Sequence, residues 1–263
     1  VWFQAELLEM KVPDAPPRGD DGHRAMPIEE ACARRQPSGV FACALAAPSL
    51  GAGAASRATH EDRMVPELLP TSPASERNKG PLLDALRDVL PRDCFVVEIG
   101  SKTGQHADHF TAHEPGWRWQ PTDRAHELDG ARARYAAAGR PNLLAPIAFD
   151  LMDDAPPASQ ADAVFCANVI HIAPWALTPR LFHHAAAMLK PGGLLCLYGP
   201  MRDTRWPLEP SNAEFDAWLS SQDPAQGLRL FQDVDAIARA HGFTLSIERA
   251  MPASNRFICW KKD

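Results

Sequence analysis

Val96-Val97-Glu98-Ile99-Gly100-Ser101-Lys102-Thr103-Gly104 decides the fold, because an apolar run carrying one acid passes into a turn with two glycines. Cys94 to Ile99 is predicted to be a buried strand and Gly104 to His113 a helix. A strand–glycine turn–helix unit of this kind brings backbone close to a ligand at the carboxyl end of a sheet.

Outward from this unit, strand-like and helix-like patterns alternate. Upstream, Leu82, Leu83, Leu86, Val89 and Leu90 mark an amphipathic helix opened by Pro81. Downstream come a strand near Trp117 to Pro121, a helix near His126 to Ala138, a strand near Leu143 to Phe149 and another over Asp162 to Ile170. Thr178 is expected to cap the next helix, with Pro179 in its first turn and Pro191-Gly192-Gly193 as its stop before a strand at Leu194 to Tyr198. Residues 201–232 break the alternation and suggest an inserted helical lid, opened by a capping box at Ser211-Asn212-Ala213-Glu214 and carrying Phe215, Trp218 and Leu219 at helical spacing. A helix at Asp233 to His241 and strands at Phe243 to Ile247 and Arg256 to Trp260 complete the chain. The expected fold is α/β and Rossmann-like: a seven-stranded, mostly parallel sheet with one antiparallel edge strand and helices on both faces.

The chain has 263 residues and a net charge of −6, which argues against an extended basic footprint for duplex nucleic acid. No stretch reaches eighteen uncharged apolar residues, so no membrane span is expected. Six cysteines lie far apart with no C-x-x-C pair, and Cys94, Cys166, Cys196 and Cys259 sit in apolar runs. Buried, reduced thiols in a cytoplasmic protein are the expectation. Residues 1–63 lack sustained periodicity and read as a poorly ordered extension, with an organellar presequence or upstream translation as alternatives. The folded domain is expected over residues 64–263.

The glycine turn resembles motif I of class I S-adenosylmethionine-dependent methyltransferases, acid-x-Gly-x-Gly-x-Gly, with Glu98, Gly100 and Gly104 matching and Lys102 in place of the middle glycine. Its companions occur in order. Asp123 ends the second strand, where an acid accepts from ribose hydroxyls; its other reading is a helix N-cap. Asp150 and Leu151 follow the third strand, where the resemblance implies contacts to the adenine amino group and ring; Asp150 also reads as a plain loop acid. Asp162 to Asn168 resembles the fourth-strand motif bordering the methionine part, and Met188 to Gly193 the usual turn into strand five.

A narrower resemblance covers nearly all of Ser72 to Lys261. Ser72-Pro73-Ala74-Ser75-Glu76-Arg77-Asn78-Lys79, Trp119-Gln120-Pro121-Thr122-Asp123, Asn168-Val169-Ile170-His171-Ile172 and Leu197-Tyr198-Gly199-Pro200 are similar to the methyltransferase-like protein 26 family, long catalogued as a domain of unknown function. The resemblance implies S-adenosylmethionine as cofactor, held by Glu98, Gly100, Ser101, Gly104, Asp123, Asp150, Leu151 and Asn168, with Arg77 and Asn78 closing over it or merely capping a helix. It supplies no acceptor, which is expected to be a small or medium-sized molecule. His171 and Tyr198 are the catalytic candidates, each with an ordinary pocket-lining or packing role as its alternative. The tandem His183-His184 is expected far from the glycine turn, and no spacing suggests a metal site. Two rivals stand beside methyl transfer: a non-catalytic S-adenosylmethionine-binding module with an impaired loop at Lys102, and a nicotinamide-dependent oxidoreductase.

Overall fold

The computed structural model describes residues 69–263. The extension expected over residues 1–63, its targeting alternative, and Cys32 and Cys43 lie outside the described residues. The Val96 to Ile99 run forms β1 (Cys94–Ile99) as expected. The other strands are β2 (Trp117–Asp123), β3 (Ile147–Ala148), β4 (Ala161–Ala167), β5 (Leu189–Gly199), β6 (Phe243–Met251) and β7 (Asn255–Lys262). Helices are α1 (Pro73–Arg87), α2 (Gln105–His113), α3 (Leu128–Ala138), α4 (Leu177–Met188), α5 (Pro210–Gln222) and α6 (Phe231–Ala240).

The strand order is β3-β2-β1-β4-β5-β7-β6. Strands β1 to β5 pair in parallel, and β7 runs antiparallel between β5 and β6, so the expected antiparallel finish lies at the edge of the sheet. Successive side chains of a strand face opposite ways. Val96 accordingly packs with Leu82, Phe110 and Trp119 under α1, α2 and α3, whereas Val97 packs with Leu181, Phe182 and Val234 under α4 and α6. Each such buried side chain contributes roughly 1.5–3 kcal/mol. Among the described residues, no helix is long and apolar enough to cross a membrane.

Several element boundaries differ from the sequence expectation for identifiable reasons. Helix α1 opens at Pro73, where Ser72 caps it by accepting from Ser75 N at 3.3 Å, and Pro81 lies inside it. The buried Leu82, Leu83 and Leu86 face offsets the roughly 3 kcal/mol that an interior proline costs. Strand β3 is only two residues long, because Pro146 before it has no N–H to give a ladder; Leu143 makes only an isolated bridge to Trp119. Helix α4 starts at Leu177, so Thr178 is inside its first turn and does not cap it. Pro191-Gly192-Gly193 belongs to a bulge within β5, between pairings of Ala161 with Leu189 and Ala163 with Leu194. Pro210 sets the start of α5, and the Ser211 capping box does not form because Glu209 occupies the cap position.

Candidate functional site

The carboxyl ends of β1 to β4 open onto a cavity walled by the glycine turn, the ends of β2 and β3, the β4–α4 connection, the first turn of α1 and one face of α5. Gly100 forms the turn at φ +82°, and a Cβ there would lie 2.5 Å from Val169 Cγ2. The backbone N–H groups of Gly100 and Ser101 both donate to Thr122 O, at 3.0 and 3.1 Å, which locks the turn to β2.

Lys102 adopts φ +43° with its side chain exposed, and its N–H donates to Asp123 Oδ2 at 2.8 Å. A left-handed conformation costs a non-glycine residue about 1–2 kcal/mol. Lys102→Gly removes that strain but gives the unfolded chain more freedom. The expected net gain is about 0.5–1 kcal/mol, seen as a melting temperature higher by roughly 1–4 °C; a lower melting temperature would mean that the lysine side chain stabilises the turn.

Asp123 has both carboxylate oxygens on backbone donors, Oδ2 on Lys102 N and Oδ1 on Arg124 N, each at 2.8 Å. Burial raises its pKa, opposed by those two hydrogen bonds. A carboxylate has about four acceptor positions, so two remain for a ligand's hydroxyls. Asp150 also lines the cavity, with Oδ1 accepting from Met152 N at 2.9 Å, and Leu151 and Phe149 form a buried apolar wall beside it. Helix α4 holds this turn: Arg180 Nε donates to Leu151 O at 2.5 Å, and His184 Nε2 lies 3.2 Å from the same oxygen. His184 therefore supports the cavity wall at the end of β3, on a helix other than the one that follows the glycine turn. Asn168 lines the cavity at φ +57°, its N–H bonded to Tyr198 O at 2.8 Å.

The structure does not bring every expected residue to the wall. Glu98, Gly104, Arg77, Asn78 and Tyr198 do not line the cavity, and Ser72, Ala74 and Ser75 of the α1 entry occupy the place expected for Arg77 and Asn78. Glu98 lies behind the turn, only 1% exposed, and accepts from Trp119 Nε1 at 3.0 Å and Ser101 Oγ at 3.1 Å. Burial pushes its carboxyl up to about 7, against those two donors. Glu98 Oε1 is 3.9 Å from His106 Nδ1, whose Nε2 meets Asn78 Oδ1 at 2.7 Å. Asn78 also hydrogen-bonds the Tyr198 side chain. These four residues tie α1, α2, β1 and β5 together, and of them His106 also lines the cavity; Asn78 and Tyr198 are anchors of the scaffold. Gly104 faces the Tyr135 ring of α3. Arg77 is exposed on α1.

His171 does reach the cavity. Its ring is 2% exposed, packs edge-on to Phe215 at 5.6 Å, and has no hydrogen-bond partner at Nδ1 among the described residues. Burial pushes its pKa down to about 3, helped by the nearby Arg229 charge. The expected lid is stitched to this region: Gly227 N donates to His171 O at 2.9 Å, and Arg229 Nε to Ile170 O at 2.8 Å. It is a wall of the site, and its Phe215, Trp218 and Leu219 line the cavity. Their helical spacing was a legible signal of a packed face, without showing what that face covers.

The strand order, the reversed β7 and the glycine turn followed by an acid at the end of β2 define the Rossmann-like fold of class I methyltransferases. The chain belongs to the family described as protein of unknown function DUF938, which matches residues 69–262. Among solved structures it resembles the methyltransferase SibL, with 22% identity and a TM-score of 0.62 over 72% of this chain and 55% of that one. Human N-acetylserotonin methyltransferase in complex with S-adenosylmethionine gives 17% identity and a TM-score of 0.60, covering 72% of this chain and 52% of that one. An O-methyltransferase family protein from Burkholderia thailandensis gives 18% and 0.61, covering 72% and 57%. The matched region thus spans little more than half the length of each of these proteins.

Proposed function

We propose that the protein is an S-adenosylmethionine-dependent methyltransferase acting on a small or medium-sized acceptor, related within its family to methyltransferase-like protein 26, with residues 64–263 as the functional unit. The observation that carries this reading is Asp123, held by the backbone of Lys102 and Arg124 at the lip of the glycine turn with acceptor positions left over. The cavity suits the cofactor part by part: Asp123 for the ribose hydroxyls, Phe149 and Leu151 for the adenine faces with Asp150 at its edge, and Asn168 with the Gly100–Ser101 backbone for the methionine part. When bound, the sulfonium supplies an activated methyl group and its own leaving group. The protein has then to orient an acceptor and keep water out, and the buried β4–α4 connection and α5 wall do both.

Calorimetric titration with S-adenosylhomocysteine tests this reading directly. Asp123→Asn keeps the size of the side chain but removes its charge, at a loss of about 1.5–3 kcal/mol for a charge-assisted hydrogen bond. Affinity is expected to fall roughly 10- to 150-fold; unchanged affinity in a folded variant would reject the ribose role. The non-catalytic alternative rests on Lys102, and cofactor binding without methyl consumption over a broad acceptor panel would favour it. Binding of reduced nicotinamide dinucleotide without binding of S-adenosylhomocysteine would favour the oxidoreductase.

A further inference from the structure

The cavity has two chemically distinct halves. Every lining Lys, Arg, Asp or Glu side chain belongs to the glycine turn, the end of β2 with the turn after it, or the end of β3: Lys102, Asp123, Arg124, Glu127 and Asp150. The opposite half, from the β4–α4 connection and α5, carries no such residue; Ile172, Leu177, Phe215, Trp218 and Leu219 supply its surface. Phe215 and Trp218 lie one helical turn apart with ring planes only 12° from parallel and centroids 6.0 Å apart. The two rings are stacked, and a flat aromatic guest lying parallel to them can continue the stack in an offset arrangement.

We propose that this half of the cavity binds an uncharged, planar aromatic compound bearing a hydroxyl group, which would make that class the methyl acceptor; the acceptor role rests on the methyltransferase reading, the binding does not. A carboxylate, phosphate or ammonium group buried here would lose its hydration with no opposite charge on the wall itself; Arg229, near His171, does not line the cavity and donates to Ile170 O and Ala173 O. His106 lines the cavity from α2, and the imidazole on the β4–α4 side is His171, deeply buried and neutral because burial depresses its pKa. His171 makes no side-chain hydrogen bond among the described residues; its Nδ1 is fully buried beside Gly199, which leaves Nε2 as the nitrogen for a guest. A guest hydroxyl, both donor and acceptor, matches a neutral imidazole in either tautomer.

The test is calorimetric and NMR titration of the full chain with 2-naphthol, 2-naphthoate, 2-naphthylmethylammonium and 2-methoxynaphthalene, with and without saturating S-adenosylhomocysteine. The expected result is saturable binding of 2-naphthol, at least tenfold tighter than the anion, the cation or the methyl ether. Trp218→Ala should weaken 2-naphthol at least tenfold while S-adenosylhomocysteine affinity stays within threefold, which also reports that the variant is folded. His171→Phe should abolish the preference for 2-naphthol over its methyl ether. Equal or tighter binding of 2-naphthoate, 2-naphthol binding indifferent to Trp218→Ala, or no saturable 2-naphthol binding would overturn the proposal. Binding of 2-naphthol with no binding of S-adenosylhomocysteine would uphold the pocket and overturn the methyltransferase reading alone.

Discussion

Gly100→Ala is expected to destabilise the protein by roughly 2–4 kcal/mol and to lower its melting temperature by about 5–15 °C. Two effects act together. The turn sits at φ +82°, where an L side chain is strained, and the added Cβ would meet Val169 Cγ2 at 2.5 Å. Valine has only χ1 with which to swing away, so the β4–α4 connection itself must shift. That connection carries Asn168 and His171, and the turn carries the Lys102 N–H that holds Asp123, so affinity for S-adenosylhomocysteine should fall at least tenfold. Thermal unfolding and calorimetry check the two parts separately. A variant with wild-type stability would show that Val169 repacks freely and that the two loops are not mechanically joined.

Glu98→Gln is expected to stabilise the protein at alkaline pH and to have little effect at acid pH. Burial raises the Glu98 pKa from 4.5 to about 7, so between those values the folded state retains a proton that the unfolded chain has released. Stability contributed by this group is therefore present below about pH 4.5 and is lost as pH rises through 7. At about 1.36 kcal/mol per pKa unit, the loss is on the order of 3 kcal/mol above pH 8. Glutamine does not titrate, and its carbonyl oxygen still accepts from Trp119 Nε1. The histidines slope the other way: burial pushes His106 down to about 4 and His171 to about 3, so stability falls as pH drops below about 6.5. Both chains keep these histidines, so the difference between variant and wild type isolates Glu98. Urea denaturation at pH 5 and pH 8.5 should show the variant's advantage growing by about 2–3 kcal/mol. A constant difference would mean that Glu98 does not change protonation in this range.

Much of the fold was legible because it is written in local patterns. The apolar run at Cys94 to Ile99, the Gly100 turn and the helix beyond it follow from side-chain periodicity and glycine placement within twenty residues. Asp123, Asp150, Leu151, Asn168 and His171 all line the cavity at one end of the sheet, because residues at the carboxyl ends of parallel strands share a rim whatever the packing details. Boundaries failed where a local signal was outweighed. Pro81 reads as a helix start, yet it sits inside α1 because Ser72-Pro73 caps eight residues earlier and Leu82, Leu83 and Leu86 are buried against the sheet.

By itself, then, the sequence determined the order of strands and helices, the position of the glycine turn and the rim on which a site forms. Only the tertiary structure decided which side chains face that site. It turned Glu98 behind the loop onto Trp119 and Ser101, made Asn78 and Tyr198 anchors, set His184 against Leu151, and laid Phe215 and Trp218 over the uncharged half of the cavity. The physical reason is distance along the chain. Whether an acid meets solvent, a ligand or an indole N–H depends on contacts such as Gly100 with Val169 and His171 with Phe215, which pair residues from separate elements and leave no periodic trace in either one.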